Sequence, residues 1–388
     1  MTTRLKKPNI AFFGCTNAGK SSLINAICNQ NVSIVSPLRG TTTDSVSKAL
    51  ELLPFGPINL IDTAGMDDYD EISDLKKDCT KRVLDKTDIA ILVINSNFGF
   101  QKEDLELKKS FEERKLPFLI VFNKSDEIEN NKKEDKNFYV SAKTKENIEL
   151  LKEKLLQILN TKKEDKPIIK NKIKKGDVVF LVIPIDESAP KDRIILPQQN
   201  VLREILDIEG VAICLQVSEI KNTLEKIKPK LVIVDSQVFE EVNKIIPKEI
   251  PLTSFSILFA NNKGNLKTLV ENVKKIENLK NGDKILISEG CTHHRQCKDI
   301  GSVKLPNWIK NFTKKELIFE FSSGNTFPSE LEKYSLIIHC GGCMLNNQEM
   351  KNRFLKAKEK NIPITNYGIT IAYLKGILAR TLEIFEEK

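Results

Sequence analysis

The chain has 388 residues, 40% of them hydrophobic and 29% charged, with a formal net charge of +8. That length suits two or three domains with real cores, and no apolar run of about 20 residues offers a membrane span. Lysines spread over helix faces make the charge a solvated surface, and with aromatics at 6% and one Trp nucleic acid is not expected as a partner.

Met1–Lys7 runs directly into a strand-like stretch with no apolar h-region, so no secretory signal is expected and the location is expected to be cytoplasmic. Thiols there are expected to stay reduced, which favours metal ligation over disulfides.

Asn9–Phe13 reads as a buried strand, and Ser22–Ile27 as helical. Between them lies Gly14-Cys15-Thr16-Asn17-Ala18-Gly19-Lys20-Ser21, which is G-x-x-x-x-G-K-S between a strand and a helix. Backbone N–H groups of such a loop curl around phosphate oxygens, and the helix N-terminus adds partial positive charge. Gly14, Asn17, Ala18, Gly19, Lys20, Ser21 and Ser22 are the phosphate-contacting candidates, with Lys20 reaching the β- and γ-phosphates and Ser21 a Mg²⁺ ligand.

Asn59–Gly65 is a strand running into D-x-x-G, where Asp62 can hold Mg²⁺ through water and the Gly65 N–H can meet the γ-phosphate. Asp88–Asn95 is another buried strand. Phe118–Phe122 ends in Asn123-Lys124-Ser125-Asp126, an N-K-x-D that places Asp126 to accept from the N1–H and amine of guanine. Adenine offers neither donor there, and each unmade charged hydrogen bond costs about 1.5–3 kcal/mol. Phe138–Val140 leads into Ser141-Ala142-Lys143, whose backbone can contact the base oxygen. A glycine-rich loop alone could be a tight turn, but four motifs in order, each after a strand, point to GTP/GDP binding.

This set resembles the TrmE–Era–EngA group of small GTPases. The resemblance implies that Asn17 helps hold K⁺ near the phosphates. Gly40-Thr41-Thr42-Thr43-Asp44 is similar to that group's switch I, which makes Thr42 the switch I magnesium ligand, with Thr41 the one-residue alternative. The catalytic set is then Lys20, Thr42, Asp62 and Gly65. Neither Met66 nor Asp67-Asp68 supplies a catalytic glutamine, so slow, K⁺-stimulated hydrolysis is expected.

Asn147–Asn160 reads as a helix closing the first domain, with Asn147 as N-cap. The lysine-rich stretch from Thr161 to Lys175 is linker-like. Apolar runs and helical patterns then alternate. Strands are expected at 177–183, 211–217, 230–235 and 255–260, and helices at 199–208, 218–227 (Ser218 as N-cap) and 237–246. That rhythm argues for a mainly parallel sheet with covering helices. Cys214, in mid-strand, is expected in the core, and with no chemistry visible a dimer-forming role is expected.

The C-terminal stretch reads as a helix at 266–279, strands at 284–288, 317–321 and 335–338, and helices at 346–360 and 370–385, with Tyr367-Gly368 in the turn between the last two. Cys291-Thr292-His293-His294, with Cys297 behind, follows the first strand, and His339-Cys340-Gly341-Gly342-Cys343 follows the third. These clusters hold all three histidines and half of the eight cysteines. Soft ligands concentrated this way point to a metal or iron–sulfur site rather than to scattered core cysteines. In a parallel sheet both clusters fall at one edge.

The pattern Cys291-x-His293 … His339-Cys340-x-x-Cys343, with the GTPase and the alternating middle, resembles the HydF family of [FeFe]-hydrogenase maturation GTPases over essentially the whole chain. The resemblance implies metal binding by Cys291, Cys340 and Cys343 to a [4Fe–4S] cluster with an exchangeable fourth position. His293 or His339 is the candidate fourth or outer ligand, and Cys297 lies outside the pattern. It implies a scaffold and carrier in metallocofactor assembly that takes a diiron precursor from two radical-SAM maturases to the apo-hydrogenase, as a homodimer. The expected fold class is α/β in three domains, a P-loop GTPase followed by two α/β domains with mainly parallel sheets. The expected limits are 1–162 for the GTPase, 163–175 for the linker, 176–265 for the dimerisation domain and 266–388 for the cluster-binding domain. The rival reading is a ribosome- or tRNA-acting GTPase with a structural zinc site.

Overall fold

The computed structural model describes residues 7–28, 35–38, 46–63, 73–129, 133–161, 166–185, 194–290, 300–324 and 326–386. The chain divides into two compact units, Met1–Glu164 and Asp165–Lys388.

The first unit runs β1 (Asn9–Phe13), α1 (Lys20–Cys28), β2 (Val35–Leu38), β3 (Val46–Leu52), β4 (Gly56–Asp62), α2 (Ser73–Lys86), β5 (Ile89–Asn95), α3 (Lys102–Glu113), β6 (Phe118–Asn123) and α4 (Ile148–Thr161). Its six strands lie in the order β2-β3-β4-β1-β5-β6. β1 pairs in parallel with β4 and β5, and β5 with β6, whereas β3 is antiparallel to both β2 and β4. β1 and β5 are apolar along their length because both sheet faces are covered. Ile10 and Phe12 enter the core on one face, and Ala11 and Phe13 the core on the other.

The second unit begins with β7 (Val178–Val182), α5 (Leu196–Asp207), β8 (Val211–Leu215), α6 (Ile220–Lys226), β9 (Leu231–Val234), α7 (Phe239–Ile245), β10 (Leu252–Ser254), α8 (Phe255–Lys263) and α9 (Leu266–Val273). It continues with β11 (Lys284–Glu289), α10 (Leu305–Thr313), β12 (Ile318–Ser323), β13 (Leu336–His339), α11 (Asn347–Glu359), β14 (Ile364–Asn366), α12 (Tyr367–Leu374) and α13 (Leu378–Leu382). Two four-stranded sheets result, β10-β9-β7-β8 and β12-β11-β13-β14. Every pairing in them is parallel. One core joins them, with Val232 and Val234 from the first and Ile285 and Ile338 from the second. The alternating α/β reading is therefore observed, with the two later sheets built around a common interior. Ile168, Ile169 and Ile173, from the lysine-rich stretch, are buried in this unit, and Glu204 accepts the Ile168 and Ile169 N–H groups.

Several local expectations are corrected. Phe255–Ala260 is not a strand: the strand is Leu252–Ser254, and Ser254 Oγ then caps α8 by accepting the Ile257 N–H at 3.2 Å. α8 is buried nearly all round, so its apolar run carries no period to separate helix from strand. Cys214 is exposed, because β8 is an edge strand and the residue faces outward. Tyr367-Gly368 opens α12 instead of forming a turn, since Asn366 Oδ1 accepts the Gly368 N–H at 2.9 Å and β14 precedes it. The expected helix 370–385 breaks after Leu374, at Lys375 and the left-handed Gly376. Ser218 lies inside a 3-10 turn before α6, and Asn147 takes a left-handed conformation while its amide donates to Tyr139 O. Among the described residues no helix is long and apolar enough to cross a membrane.

Candidate functional site

The nucleotide motifs converge at the C-terminal ends of β1, β4 and β6. Gly19 has φ +87°, and a side chain there would run into the Asn123 amide, so the loop and the N-K-x-D motif touch directly. Asn123 Nδ2 donates to Ala18 O at 3.0 Å and its Oδ1 accepts the Ala142 N–H at 3.1 Å, tying three motifs through one buried side chain. Asp126 Oδ1 accepts from Ser141 Oγ at 2.6 Å, and Asp126 Oδ2 lies 4.0 Å from Lys143 Nζ. Lys124, with φ 63°, makes the turn between them.

Lys20 is buried and donates to the carbonyls of Gly14 (2.9 Å) and Cys15 (2.8 Å), arching over the loop that would receive phosphate. Ser21 Oγ donates to Asp62 Oδ2 at 2.5 Å. Asp62 Oδ1 is buried without a hydrogen-bond partner, a donor set matched to hydrated Mg²⁺. Asn17 takes φ 61°, a conformation that asparagine tolerates. Ser22 is exposed at the first turn of α1. Thr41, Thr42, Gly65 and Met66 lie outside the described residues.

One group escaped the motif reading. Asp104, on α3, is buried under the loop, accepts the Gln101 N–H at 3.1 Å and receives Cys15 Sγ–H at 3.5 Å. Burial pushes its carboxyl above the usual range, against those hydrogen bonds. The local pattern marks it only as a helix-capping acid three residues after Gln101, because its contact with the phosphate loop, at Cys15, is 89 residues away.

In the second unit β11 and β13 are neighbours, with Ser288 opposite His339. The chain therefore leaves the sheet side by side at Gly290, which precedes Cys291, and at Cys340. Cys340 Sγ accepts two backbone N–H groups, from Gly290 at 3.1 Å and Gly342 at 3.3 Å. Burial pushes its thiol up to about 11, with the two N–H bonds acting the other way. Cys343 is raised by burial as well, with the Lys263 ammonium opposing. Gly342 has φ +61°, and a side chain there would meet Met350 Sδ, so any other residue in the turn between the two cysteines is strained and must displace Met350. Lys263, 5% exposed, donates to Leu345 O at 2.7 Å and to Gly342 O.

His339 is 1% exposed and both of its ring nitrogens are engaged. Nδ1 meets Cys340 O at 2.8 Å and Nε2 faces Arg353 Nη1 at 3.0 Å, which assigns the proton to Nδ1. Burial first, then the Arg353 charge, brings its pKa down to about 3. Arg353 sits over the Phe327 ring and donates to Glu349 Oε1 at 2.7 Å and Gly324 O at 2.5 Å. Tyr367 Oη donates to buried Glu289 at 3.2 Å, so it packs beside the cysteine loop. Cys291, His293, His294 and Cys297 lie outside the described residues, and among the described ones no group of three or more ligating side chains is gathered to hold a metal ion.

The comparisons agree with this division. Residues 9–124 match the 50S ribosome-binding GTPase model, 168–264 the hydrogen maturase F dimerization domain, and 267–384 the hydrogen maturase F tetramerization domain. A tRNA modification GTPase, MnmE of Legionella pneumophila (strain Corby), is 35% identical over 157 residues, 39% of this chain and 34% of that protein. GTPase Der of a Nitratiruptor species is 28% identical over 252 residues, 54% of each chain. The chain thus spans about a third to a half of the curated relatives it matches. Among solved structures, a variant of Aquifex aeolicus Era bound to GDP.AlF4- aligns at 20% identity and TM-score 0.34, over 55% of this chain and 93% of that one. The first unit is a P-loop GTPase domain, and the two hydrogen maturase F models lie in tandem over more than half of the sequence. The chain belongs to the hydrogen maturase F family.

Proposed function

We propose that this chain is a GTP-hydrolysing scaffold and carrier in [FeFe]-hydrogenase maturation, and that Cys291, Cys340 and Cys343 hold a [4Fe–4S] cluster. One observation carries the cluster reading: the Cys340 sulfur is held by two backbone N–H donors, one of them from Gly290, the residue before Cys291. Those donors stabilise a thiolate, which is the form a metal takes. Bound there, such a cluster supplies an exchangeable iron position for a diiron precursor, which is cargo.

The protein's own residues have distinct tasks in this reading. His339 holds the Cys340 carbonyl while its Nε2 is occupied by Arg353, so it orients the loop from outside the metal's first contacts. That leaves His293, another donor or the cargo for the fourth position. In the first unit Ser21, Asp62 and Thr42 hold Mg²⁺, Asn17 with K⁺ steadies the phosphates, and Gly65 meets the γ-phosphate. Hydrolysis is slow because no glutamine follows the D-x-x-G motif. GTP acts as a ligand with unequal affinity for two states of a dimeric or larger assembly, altering the hold on the maturases and the apo-hydrogenase. The domain limits 1–162, 163–175, 176–265 and 266–388 belong to this reading.

Anaerobic reconstitution with iron and sulfide tests it. The parent is expected to turn brown with about four irons per chain, and Cys340→Ala to lose them. Protein that stayed colourless and bound only zinc would overturn the reading and favour a structural zinc site. Unchanged hydrogenase activation by Lys20→Ala would remove the GTP coupling.

A further inference from the structure

The two halves of the second unit repeat one another. Each has the same strand order, with the third strand beside the first and the fourth at the edge: β10-β9-β7-β8 and the reversed list β14-β13-β11-β12. The repetition extends to single hydrogen bonds. Lys174 N donates to Asp177 Oδ2 at 2.8 Å, and Lys280 N to Asp283 Oδ2 at 2.8 Å. Val232 N reaches Pro251 O at 3.0 Å, and Ile337 N reaches Pro363 O at 2.9 Å. The last strand and helix carry the same residues in order: Ile250-Pro251, Thr253, Ile257, Ala260 and Lys263-Gly264 against Ile362-Pro363, Thr365, Ile369, Ala372 and Lys375-Gly376.

This equivalence gives the cysteine loop a counterpart. Asp235 N donates to Val182 O as Cys340 N donates to Ser288 O. Asp235 Oδ1 accepts the Gln237 N–H at 3.1 Å, as Cys340 Sγ accepts the Gly342 N–H at 3.3 Å. An aspartate thus stands in the first half where the second has Cys340, and both make the same turn with the residue two further on.

The halves also reach into each other in matching ways. Lys263, at the end of α8, donates to the carbonyls of Gly342 and Leu345, on either side of Cys343. Lys375, its equivalent at the end of α12, pairs at 2.8 Å with Glu240, which stands where Leu345 does. The helices that follow also exchange: Thr365 Oγ1 on β14 donates to Leu269 O of α9, and Arg380 of α13 donates to Ile250 O ahead of β10.

We propose that residues 174–264 and 280–376 are two copies of one module paired about a local two-fold axis, and that this pairing makes Lys263 of the first copy the positioning residue for the cysteine loop of the second. A buried ammonium bonded to two backbone carbonyls fixes the turn far more firmly than the half-exposed Lys375–Glu240 pair fixes its counterpart. The consequence for iron rests on the cluster reading above, whereas the pairing itself does not.

The test compares Lys263→Met, Lys263→Arg and Lys375→Met in the full chain. In the metal-free protein, iodoacetamide labelling of Cys343 is followed by mass spectrometry over a pH series, and the rates compared are those per thiolate, because loss of the Lys263 ammonium also lowers the thiolate fraction. In the iron-loaded protein, iron loss to a chelator and the reduced-state EPR spectrum are followed. Lys263→Met is expected to speed both labelling and iron loss about tenfold, and Lys263→Arg to restore most of the protection, because a guanidinium also donates to two carbonyls. Lys375→Met is expected to leave both rates within about twofold of the parent. Parent-like labelling of Cys343 in Lys263→Met overturns the proposal. Equal acceleration in both methionine variants, with a matching fall in the unfolding midpoint, also overturns it, since Lys263 is then a general packing contact. A parent that takes up no iron sinks the cluster reading alone, and the labelling rates still decide the role of Lys263.

Discussion

Arg353→Met should be among the most damaging single changes in the second unit. Arg353 is 3% exposed and serves four acceptors: His339 Nε2 at 3.0 Å, Glu349 Oε1 at 2.7 Å, Gly324 O at 2.5 Å and, at 3.5 Å, Ser288 Oγ, which keeps a second bond from Ser322 Oγ. Methionine keeps much of the volume over Phe327 and removes every donor. Glu349 is then a largely buried carboxylate without its cation, and breaking a pair of that kind costs about 3–5 kcal/mol. The two orphaned acceptors at His339 and Gly324 would each cost about 1–3 kcal/mol if left dry, so water entry must relieve part of the total. A net loss of about 3–5 kcal/mol is expected for the metal-free protein. Urea unfolding followed by tryptophan fluorescence reports it, since Trp308 lies in this unit beside its core. Glu349→Gln in the Arg353→Met background should recover about 1–2 kcal/mol, because it removes the stranded charge. A loss below about 1 kcal/mol for Arg353→Met would refute the reasoning, because it would mean that these groups are already solvated.

Three further outcomes are expected. Asn123→Ala should weaken GTP binding by about a hundredfold in a fluorescent-nucleotide titration, because one side chain joins the phosphate loop to the Ala142 turn through two bonds each worth about 0.5–1.5 kcal/mol and also closes the base site. Asp104→Asn should flatten the pH dependence of the first unit's stability. A carboxyl raised in the fold keeps its proton where the unfolded chain has lost it. Its contribution is therefore fully present below the ordinary aspartate pKa and fades as pH rises through the raised value, and the difference between parent and variant in paired denaturant curves isolates it. Ser254→Ala should cost about 1 kcal/mol by removing the α8 cap, while Ser254→Gly should cost only a few tenths, as read from the same unfolding curves.

The nucleotide site is legible because its chemistry is written locally. A glycine-rich loop between strand and helix, a D-x-x-G and an N-K-x-D each declare their role within eight residues, and β1, β5 and β6 are apolar enough to be recognised as buried strands. The cysteine site is legible as a cluster of candidate ligands, because rare residue types gather at strand ends. Its fold context is harder to read. Phe255–Ala260 reads as a strand because an element buried on all sides has no period, and only the Ser254 cap and its place in the core show it to be a helix. Cys214 reads as a core residue because an edge strand and a central strand look alike in an apolar run.

Sequence by itself therefore determined the alternating α/β order, the GTPase motifs and the identity of the ligand candidates, since these depend on neighbours along the chain. Tertiary structure decided what surrounds Cys340, the turn before Cys343, and His339. Gly290 meets Cys340 across 50 residues, Lys263 meets Gly342 across 79, and Arg353 reaches back across 14 to His339. Such contacts are set by which parallel strands lie side by side and which helices cross the sheet edge. Parallel neighbours are joined by crossovers of variable length, so no fixed spacing in the sequence records them.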